Sequence, residues 1–537
     1  MSPRATRWAW LGVALVSGVV VGLGFPPYHV WPAIPVGLAG VALACRQVRP
    51  GRGLAAGYLF GVGFYGVVIH WMSALGWPVL LVLTAWMAVW YALVGLVLAL
   101  TRRWRGGWLA GVAVWLGVEW AGARWPIGGF GWARLAYATP GTPIAGLLPL
   151  VSSSGVGLLI VATGFGLGAA AERWWQWRQH RAIDPTSRRF PLAWPAVLAG
   201  LLLVSGLGGW AGSFYQPAPD GPSLTVAVIQ GNVPGRGIDA LGPRYTVENN
   251  HLSETILAQA RINAGQDSRP DFVVWPENST ATDPLTDQTT HAIVQAAVDL
   301  VGVPILVGAI TDGPGPDERQ TTGLWWTSTG VTAVYHKRNL VPFGEWIPAR
   351  QFFVPLVPAL AYVGAQSIPG TDPGVLDVSA AGQPLRVGDI ICFELAYDDT
   401  FDQMIAGTAS TGGGAQVAVV QTSNAMFTGT VQMSQQEAIT RVRAMESRRE
   451  VLVATTNSLA GLIDAQGRIV YHAQLATADA QVFTVPIRTA LTPAVAYRPV
   501  FDAATIAAPL LVWLVLGLAG RPRRRPTATA TSTKERP

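Results

Sequence analysis

Leu385-Arg386-Val387-Gly388-Asp389-Ile390-Ile391-Cys392-Phe393-Glu394 is a short apolar run that ends at a cysteine and a glutamate. Its length and β-branched content predict a strand over residues 385–393. Working outward, the same pattern recurs. Residues 223–230 (SLTVAVIQ), 271–275 (DFVVW), 304–310, 323–329, 416–422, 451–456, 460–464 and 482–485 read as strands. Residues 245–264, 285–301 and 431–450 read as helices. Continuous hydrophobic strands that alternate with helices make an α/β domain with a covered sheet.

Active sites in such sheets gather where strands end. Three strand-end segments carry unusual polar residues. Glu277 follows DFVVW in Trp275-Pro276-Glu277-Asn278. Lys337 lies in Tyr335-His336-Lys337-Arg338-Asn339-Leu340-Val341-Pro342-Phe343-Gly344-Glu345. Cys392 ends the run quoted above. Each has a plainer reading: Glu277 as a turn carboxylate, Lys337 as a solvated lysine, Cys392 as a small buried hydrophobe. Yet Lys337 is the only lysine among 16 basic residues of the 213–502 stretch, and Cys392 is its only cysteine.

The rest of the chain is a different object. Of 537 residues, half are hydrophobic and 13% are charged. That is about half the charge of a soluble protein, which excludes a disordered chain or an ordinary cytosolic enzyme. Two cysteines exclude a disulfide scaffold and a multi-cysteine metal site. The net charge of +6 is an average. Residues 213–502 carry 16 basic and 27 acidic residues, a net of −11, and the remainder carries 21 and 4, a net of +17. A nucleic-acid partner is therefore not expected, because the positive charge is scattered between apolar runs rather than gathered on a folded face. Of 23 tryptophans, 19 lie outside the 213–502 stretch, as suits a membrane–water interface.

Eight apolar runs are candidate spans: residues 8–24, 30–45, 54–71, 77–100, 108–122, 143–171, 192–212 and 503–520. The second and fifth are the weakest, the second short with Pro32 and Pro35, the fifth short with Glu119. With the N-terminus inside, 19 Lys and Arg residues fall in inside segments, among them Arg105, Arg188 and Arg189. Only Arg124 and Arg134 fall in short outside loops. The positive-inside rule then places residues 213–502 outside the cytoplasm. The expected organisation is a membrane domain of seven spans over 1–212, a soluble domain over 213–502, an eighth span over 503–520, and a basic disordered tail over 521–537. Glu119 has two readings of equal weight: a functional intramembrane carboxylate, or a helix-end carboxylate near Arg124.

The ordered set of Trp-Pro-Glu, a lysine ahead of Asn-Leu-Val-Pro-Phe-Gly-Glu, and Ile-Cys-Phe-Glu resembles the Glu–Lys–Cys triad of the nitrilase (carbon–nitrogen hydrolase) superfamily. Such a domain between seven spans and one is similar to the apolipoprotein N-acyltransferase family, over nearly the whole chain to about residue 520. The resemblance implies a polytopic α-helical membrane protein that carries a nitrilase-like αββα sandwich on the outer side of a bacterial cell membrane. It implies Glu277 as general base, Lys337 as oxyanion stabiliser and Cys392 as nucleophile. It implies supporting roles for Glu345, Glu394, Phe393 and Asn424. Phe393 stands where many members have Tyr. After Thr422-Ser423-Asn424 the family's Asp-Ala-Trp-Phe-Gly is here Ala425-Met426-Phe427-Thr428-Gly429. Where members carry a substrate-contacting Trp, this chain reads Gly235-Arg236-Gly237-Ile238.

The implied reaction is ping-pong. A phospholipid, usually phosphatidylethanolamine, acylates Cys392, and the thioester acylates the α-amine of a diacylglyceryl-cysteine lipoprotein. No metal or nucleotide motif is visible, so no cofactor is expected. Residues 343–368 form a very apolar, proline-broken stretch that includes Trp346, Phe352 and Phe353. It reads as a membrane-facing lid over an acyl pocket in preference to an internal core segment. Two other functions compete: a membrane-anchored amidase with water as acceptor, and a non-enzymatic membrane scaffold. Eight spans exceed what anchoring needs, and the intact triad argues against a scaffold.

Overall fold

The structure, a computed structural model, describes residues 3–104, 106–183, 193–233, 235 and 243–519. Arg105, Arg188, Arg189, residues 236–238 and the expected basic tail lie outside the described residues.

The first part is helical: α1 (Pro3–Gly22), α2 (Ala33–Arg46), α3 (Pro50–Val68), α4 (Trp77–Leu100), α5 (Gly107–Gly122), α6 (Leu148–Ile183), α7 (Ala193–Leu203) and α8 (Gly209–Ser213). Pro50 and Pro78 sit in the first turns of α3 and α4, where a missing N–H costs nothing. Glycine sets the closest packing. A Cβ on Gly57 of α3 would stand 2.2 Å from the Tyr91 carbonyl of α4, and one on Gly61 would meet the Ala88 backbone at 2.6 Å. Small residues let helix backbones approach where no hydrophobic force distinguishes protein from lipid. The stretches Trp77–Leu100, Pro143–Arg181, Pro195–Ser213 and Arg498–Leu518 are long and apolar enough to cross a membrane, and Trp8–Gly22 and Ala33–Arg46 are shorter apolar helices.

The second part alternates strands and helices. Its elements are β1 (Ser223–Gln230), α9 (Thr246–Asn263), β2 (Phe272–Val274), α10 (Gln288–Val301), β3 (Ile305–Asp312), β4 (Glu318–Thr327) and β5 (Gly330–His336). Then come α11 (Arg350–Leu356), β6 (Gln366–Ser367), β7 (Val375–Ala380), β8 (Gln383–Ile391), α12 (Asp398–Ala406), β9 (Val417–Thr422) and α13 (Gln432–Ser447). The series closes with β10 (Val451–Thr455), β11 (Gly461–Ile463), β12 (Ile469–His472), β13 (Asp479–Pro486), α14 (Pro493–Ala496) and α15 (Arg498–Ala519).

Two sheets result. One has the order β13-β1-β2-β3-β4-β5 with β6 beside β4, and the other the order β12-β11-β10-β9-β8-β7. Alternate residues of both sheets (Val226, Val274, Leu306 against Val387, Val419, Leu452) form a shared apolar layer. The opposite face of the first sheet packs on α9 and α10. The opposite face of the second packs on α12 and α13, and through them on α1–α6. The layers are thus helix, sheet, sheet, helix, with the last layer continuous with the membrane helices.

The parallel neighbours β1-β2-β3 and β8-β9-β10 end at the same edge of the sandwich. Polar contacts seat this domain on the apolar helices. Gln435 of α13 accepts from Trp71 Nε1 at 3.0 Å and Trp132 Nε1 at 2.8 Å, and donates to the Val68 carbonyl at 2.8 Å.

Several boundaries differ from the sequence expectations. The strand expected over 385–393 ends at Ile391. Cys392 opens a 3-10 turn, Cys392–Ala396, with φ of 54°. The helix expected from 503 begins at Arg498, because Arg498 pairs with Asp502 one turn on at 3.3 Å and carries the helix back into the polar region. Strands β5, β7 and β12 were not anticipated. Their exposed residues break the apolar runs by which the others were recognised.

Candidate active site

Three strand ends converge. Glu277 lies just past β2, held across β3 because residue 308 is glycine: a Cβ there would stand 2.2 Å from the Pro276 carbonyl oxygen. Lys337 follows β5, and its backbone N–H donates to the Thr321 carbonyl at 2.9 Å. Cys392 follows β8 with positive φ, a strained position that turns the side chain out of the strand.

Lys337 is fully buried, and its ammonium donates to Glu277 Oε1 at 2.9 Å and Glu345 Oε1 at 2.7 Å. The other oxygen of each carboxylate is fixed by backbone. Ser423 N–H donates to Glu277 Oε2 at 2.7 Å, and Val341 N–H to Glu345 Oε2 at 2.7 Å. Burial disfavours the Lys337 charge, but Glu277 and Glu345 outweigh it and hold its pKa well above the ordinary lysine value. Burial, and after it the Glu345 charge, raise the Glu277 pKa, against the pull of Lys337. Cys392 is half-buried. Its pKa is pushed up to about 12, by burial first and the Glu277 charge second, while Lys337 and the Thr422 hydroxyl act in the opposite sense. The resting sulfur is thus a thiol beside a carboxylate that can accept its proton and an ammonium that can face a developing oxyanion.

The remaining expected residues fall around this core. Glu394 is fully buried and ties two strand ends together. Its oxygens accept from Arg338 N–H at 2.6 Å, Asn339 N–H at 3.1 Å, Ile391 N–H at 2.9 Å and the Tyr335 hydroxyl at 2.9 Å. Phe393 stacks on Trp132, centroids 6.0 Å apart at 16°, and lies 6.0 Å from Phe130. Asn424 is buried past β9, with its amide 3.4 Å from Ser458 Oγ.

Trp346 is half-buried. Phe352 on α11 is 60% exposed and packs edge-on to Phe353, which meets Phe343 at 5.5 Å. Leu356 and Val357 are exposed as well, so this stretch is not an internal core segment. Glu119 does not meet Arg124, which pairs with Asp399 at 2.7 Å. Glu119 accepts instead from Trp115 Nε1 at 3.1 Å and Leu135 N–H at 3.2 Å.

Sequence reasoning missed the residues that hold the nucleophile's turn. Arg443 Nε donates to the Leu395 carbonyl at 2.8 Å. Asp398 binds Arg443 at 2.7 Å and also Arg134 and Arg498. Thr422, which faces the thiol, accepts from Gln436 Nε2 at 2.8 Å. Asp398, Arg443 and Gln436 lie on polar-looking helices that the fold buries, and Thr422 ends strand β9, so no periodicity marks them.

Comparison with known proteins bears on the whole chain. Residues 17–166 match the family model described as the apolipoprotein N-acyltransferase N-terminal domain. An apolipoprotein N-acyltransferase from Mycolicibacterium smegmatis is 32% identical, covering 97% of this chain and 88% of that protein. One from Nitrosomonas europaea is 28% identical, covering 87% and 88%. Among solved structures, an amidase from Nesterenkonia sp. AN1 aligns at 13% identity and TM-score 0.37, over 52% of this chain and 98% of that one. That score adds nothing to the sheets described above. The identity sustained from end to end decides the matter: the chain belongs to the apolipoprotein N-acyltransferase family.

Proposed function

We propose that this membrane acyltransferase moves a fatty acyl chain from a phospholipid to the α-amine of a lipoprotein's diacylglyceryl-cysteine through a thioester on Cys392. The observation that carries the reading is the buried Lys337 ammonium, bonded to Glu277 at 2.9 Å and Glu345 at 2.7 Å and electrostatically coupled to the Cys392 thiol. Glu277 takes the thiol proton as sulfur attacks the ester carbonyl. The Lys337 ammonium stabilises the tetrahedral oxyanion, where one such donor is worth about 3–4 kcal/mol. The C–O bond breaks, and the proton passes from Glu277 to the departing lysophospholipid. The lipoprotein amine then attacks the thioester, Glu277 removes its proton, the amide forms and the thiol is restored. Glu345 orients the lysine.

Seven spans before the catalytic domain and one after it, with that domain over 213–502 on the outer side, fit the arginine distribution and the apolar helices. The donor head group is ethanolamine in this reading. Trp346, Phe352 and Phe353 form a lid at the bilayer surface, and the exposure of Phe352 and its neighbours Leu356 and Val357 supports this. The test is intact-mass analysis of the purified protein after incubation with phospholipid. A fatty-acyl adduct that disappears in Cys392→Ala is expected. No adduct, or one retained in Cys392→Ala, overturns the reading.

A further inference from the structure

The apolar layer between the two sheets holds one anomaly. Asp389, three residues before Cys392 on β8, is fully buried, and among the described residues nothing bonds to either of its carboxyl oxygens. Gln421, on the neighbouring strand β9, is equally buried, and its Oε1 also lacks a donor. The two oxygens point to one place. A Cβ built on Gly323 of β4 would stand 2.0 Å from Asp389 Oδ2 and 3.3 Å from Gln421 Oε1. Gln421 Nε2 in turn donates across the sheet interface to the Trp275 carbonyl at 2.6 Å. Trp275 is two residues before Glu277.

We propose that Asp389 and Gln421 form a hydrogen-bonded strut between the sheets that fixes the spacing of Glu277 and Cys392. In it the Asp389 carboxyl O–H donates to Gln421 Oε1, and Gln421 Nε2 donates to the Trp275 carbonyl. An ionised carboxylate buried without a partner carries a penalty that a neutral acid avoids, and a neutral acid supplies the one donor this cluster lacks. Burial, with Glu394 and Glu277 nearby, holds the Asp389 carboxyl well above the usual range.

The glycines fit the same account. Gly323 is paired in register with Gly308 on β3. Gly323 leaves room for the strut, and Gly308 leaves room for the Pro276–Glu277 segment, since a Cβ there would meet Glu277 Cα at 2.7 Å. The strut thus reaches from the nucleophile's strand, through the central strand, to the backbone that presents the base. Asp389 and Gln421 touch neither substrate nor sulfur in this account and act as positioning residues. The inference rests on Glu277 and Cys392 being base and nucleophile.

The test uses the full chain in lipid nanodiscs, with the rate of acyl adduct formation read by intact mass across pH. Asp389→Asn keeps a donor for Gln421 Oε1 and should acylate within about twofold of wild type, with an unshifted acid limb. Asp389→Leu keeps the bulk without the donor and should slow acylation at least tenfold at unchanged phospholipid half-saturation. An unimpaired Asp389→Leu overturns the strut, as does an Asp389→Asn as slow as Asp389→Leu. If Asp389→Leu does not fold, Asp389→Asn still decides. An acid limb moved to lower pH would mean that an ionised Asp389 acts on Glu277, and would overturn the proposal. Wild-type adduct on a residue other than Cys392 would instead refute the active-site assignment itself.

Discussion

Replacing Glu277 by glutamine should move two properties of Cys392 in opposite directions. The Glu277 charge is, after burial, the largest influence raising the thiol pKa. A unit charge within roughly 4–6 Å, at an effective dielectric near 20, is worth on the order of 3 kcal/mol. At about 1.4 kcal/mol per unit this is about two pKa units. The wild-type thiol, at about 12, should therefore titrate lower in Glu277→Gln, because Lys337 keeps its pull while the opposing carboxylate is gone. Alkylation by iodoacetamide, which consumes thiolate, should rise in the variant at any pH below the wild-type thiol's pKa. Adduct formation with phospholipid should fall by at least a hundredfold, because the proton has lost its acceptor.

In wild type the acylation rate should rise with pH through the raised pKa of Glu277, placing its acid limb above the ordinary carboxylate range. The labelling is read by peptide mass, with Cys45 as an internal control, since it is the only other cysteine and is fully buried in α2. A wild-type alkylation midpoint near the free-thiol value of about 8.5 would refute the electrostatic account. So would a midpoint that rises in Glu277→Gln.

Two further outcomes are expected. Asp398→Asn leaves buried Arg134, Arg443 and Arg498 short of a shared anion and should cost about 3–5 kcal/mol, read as a lowered thermal midpoint in detergent. An unchanged midpoint would show that the cluster bears no load. Phe352→Ser with Phe353→Ser should weaken phospholipid turnover at least tenfold, as losing even one aromatic contact to lipid at about 1.5–3 kcal/mol suggests, while sparing a short water-soluble ester. Equal loss with both substrates would count against a bilayer-facing lid.

Glu277 and Cys392 were legible in the sequence because each stands at the end of an apolar strand, where a charged or nucleophilic side chain breaks the local pattern, and Lys337 because it is the only lysine of residues 213–502. The run 385–394 shows this best: Val387, Ile390 and Ile391 are core residues, and the cysteine and glutamate that follow have no place in a core pattern. Asp389 was passed over inside the same run because it looked like an interruption rather than a partner. Gln421 was hidden in the same way inside VAVVQT. Their pairing depends on which residues of two strands share a face, and β8-β9 register is not written in either strand alone. Helix α13 was expected over 431–450, but its burial was hidden for the opposite reason. QMSQQEAITRVRAMES has a solvated composition, yet nearly all of it is buried between the second sheet and α6. Hydropathy cannot find the burial of a helix whose polar residues are satisfied by other buried polar residues.

That buried polarity bears on why the catalytic domain is built onto apolar helices at all. A tether would need only the chain connections at residues 213 and 498. Instead the turn that carries the nucleophile is held from the membrane side at several points. Trp132 stacks on Phe393, and Tyr137 accepts from Arg443, whose Nε holds the Leu395 carbonyl. Arg134 and Arg498 converge on Asp398, and Ser153 N–H at the kink of α6 binds Glu446 at 2.7 Å. Glu119, inside α5, fixes the start of the Leu135–Ala138 turn through Leu135 N–H and so steadies the same contact surface. A carboxylate in an apolar helix is costly unless it is bonded, and here its bond reaches the turn whose Tyr137 accepts from Arg443. The position of the thiol relative to the apolar helices is therefore set by specific, directional contacts. A reaction whose donor lies in the bilayer has use for such a fixed height, because the acyl carbonyl must be held about 3–3.5 Å from the sulfur, and a misplacement of about 1 Å can cost about a hundredfold.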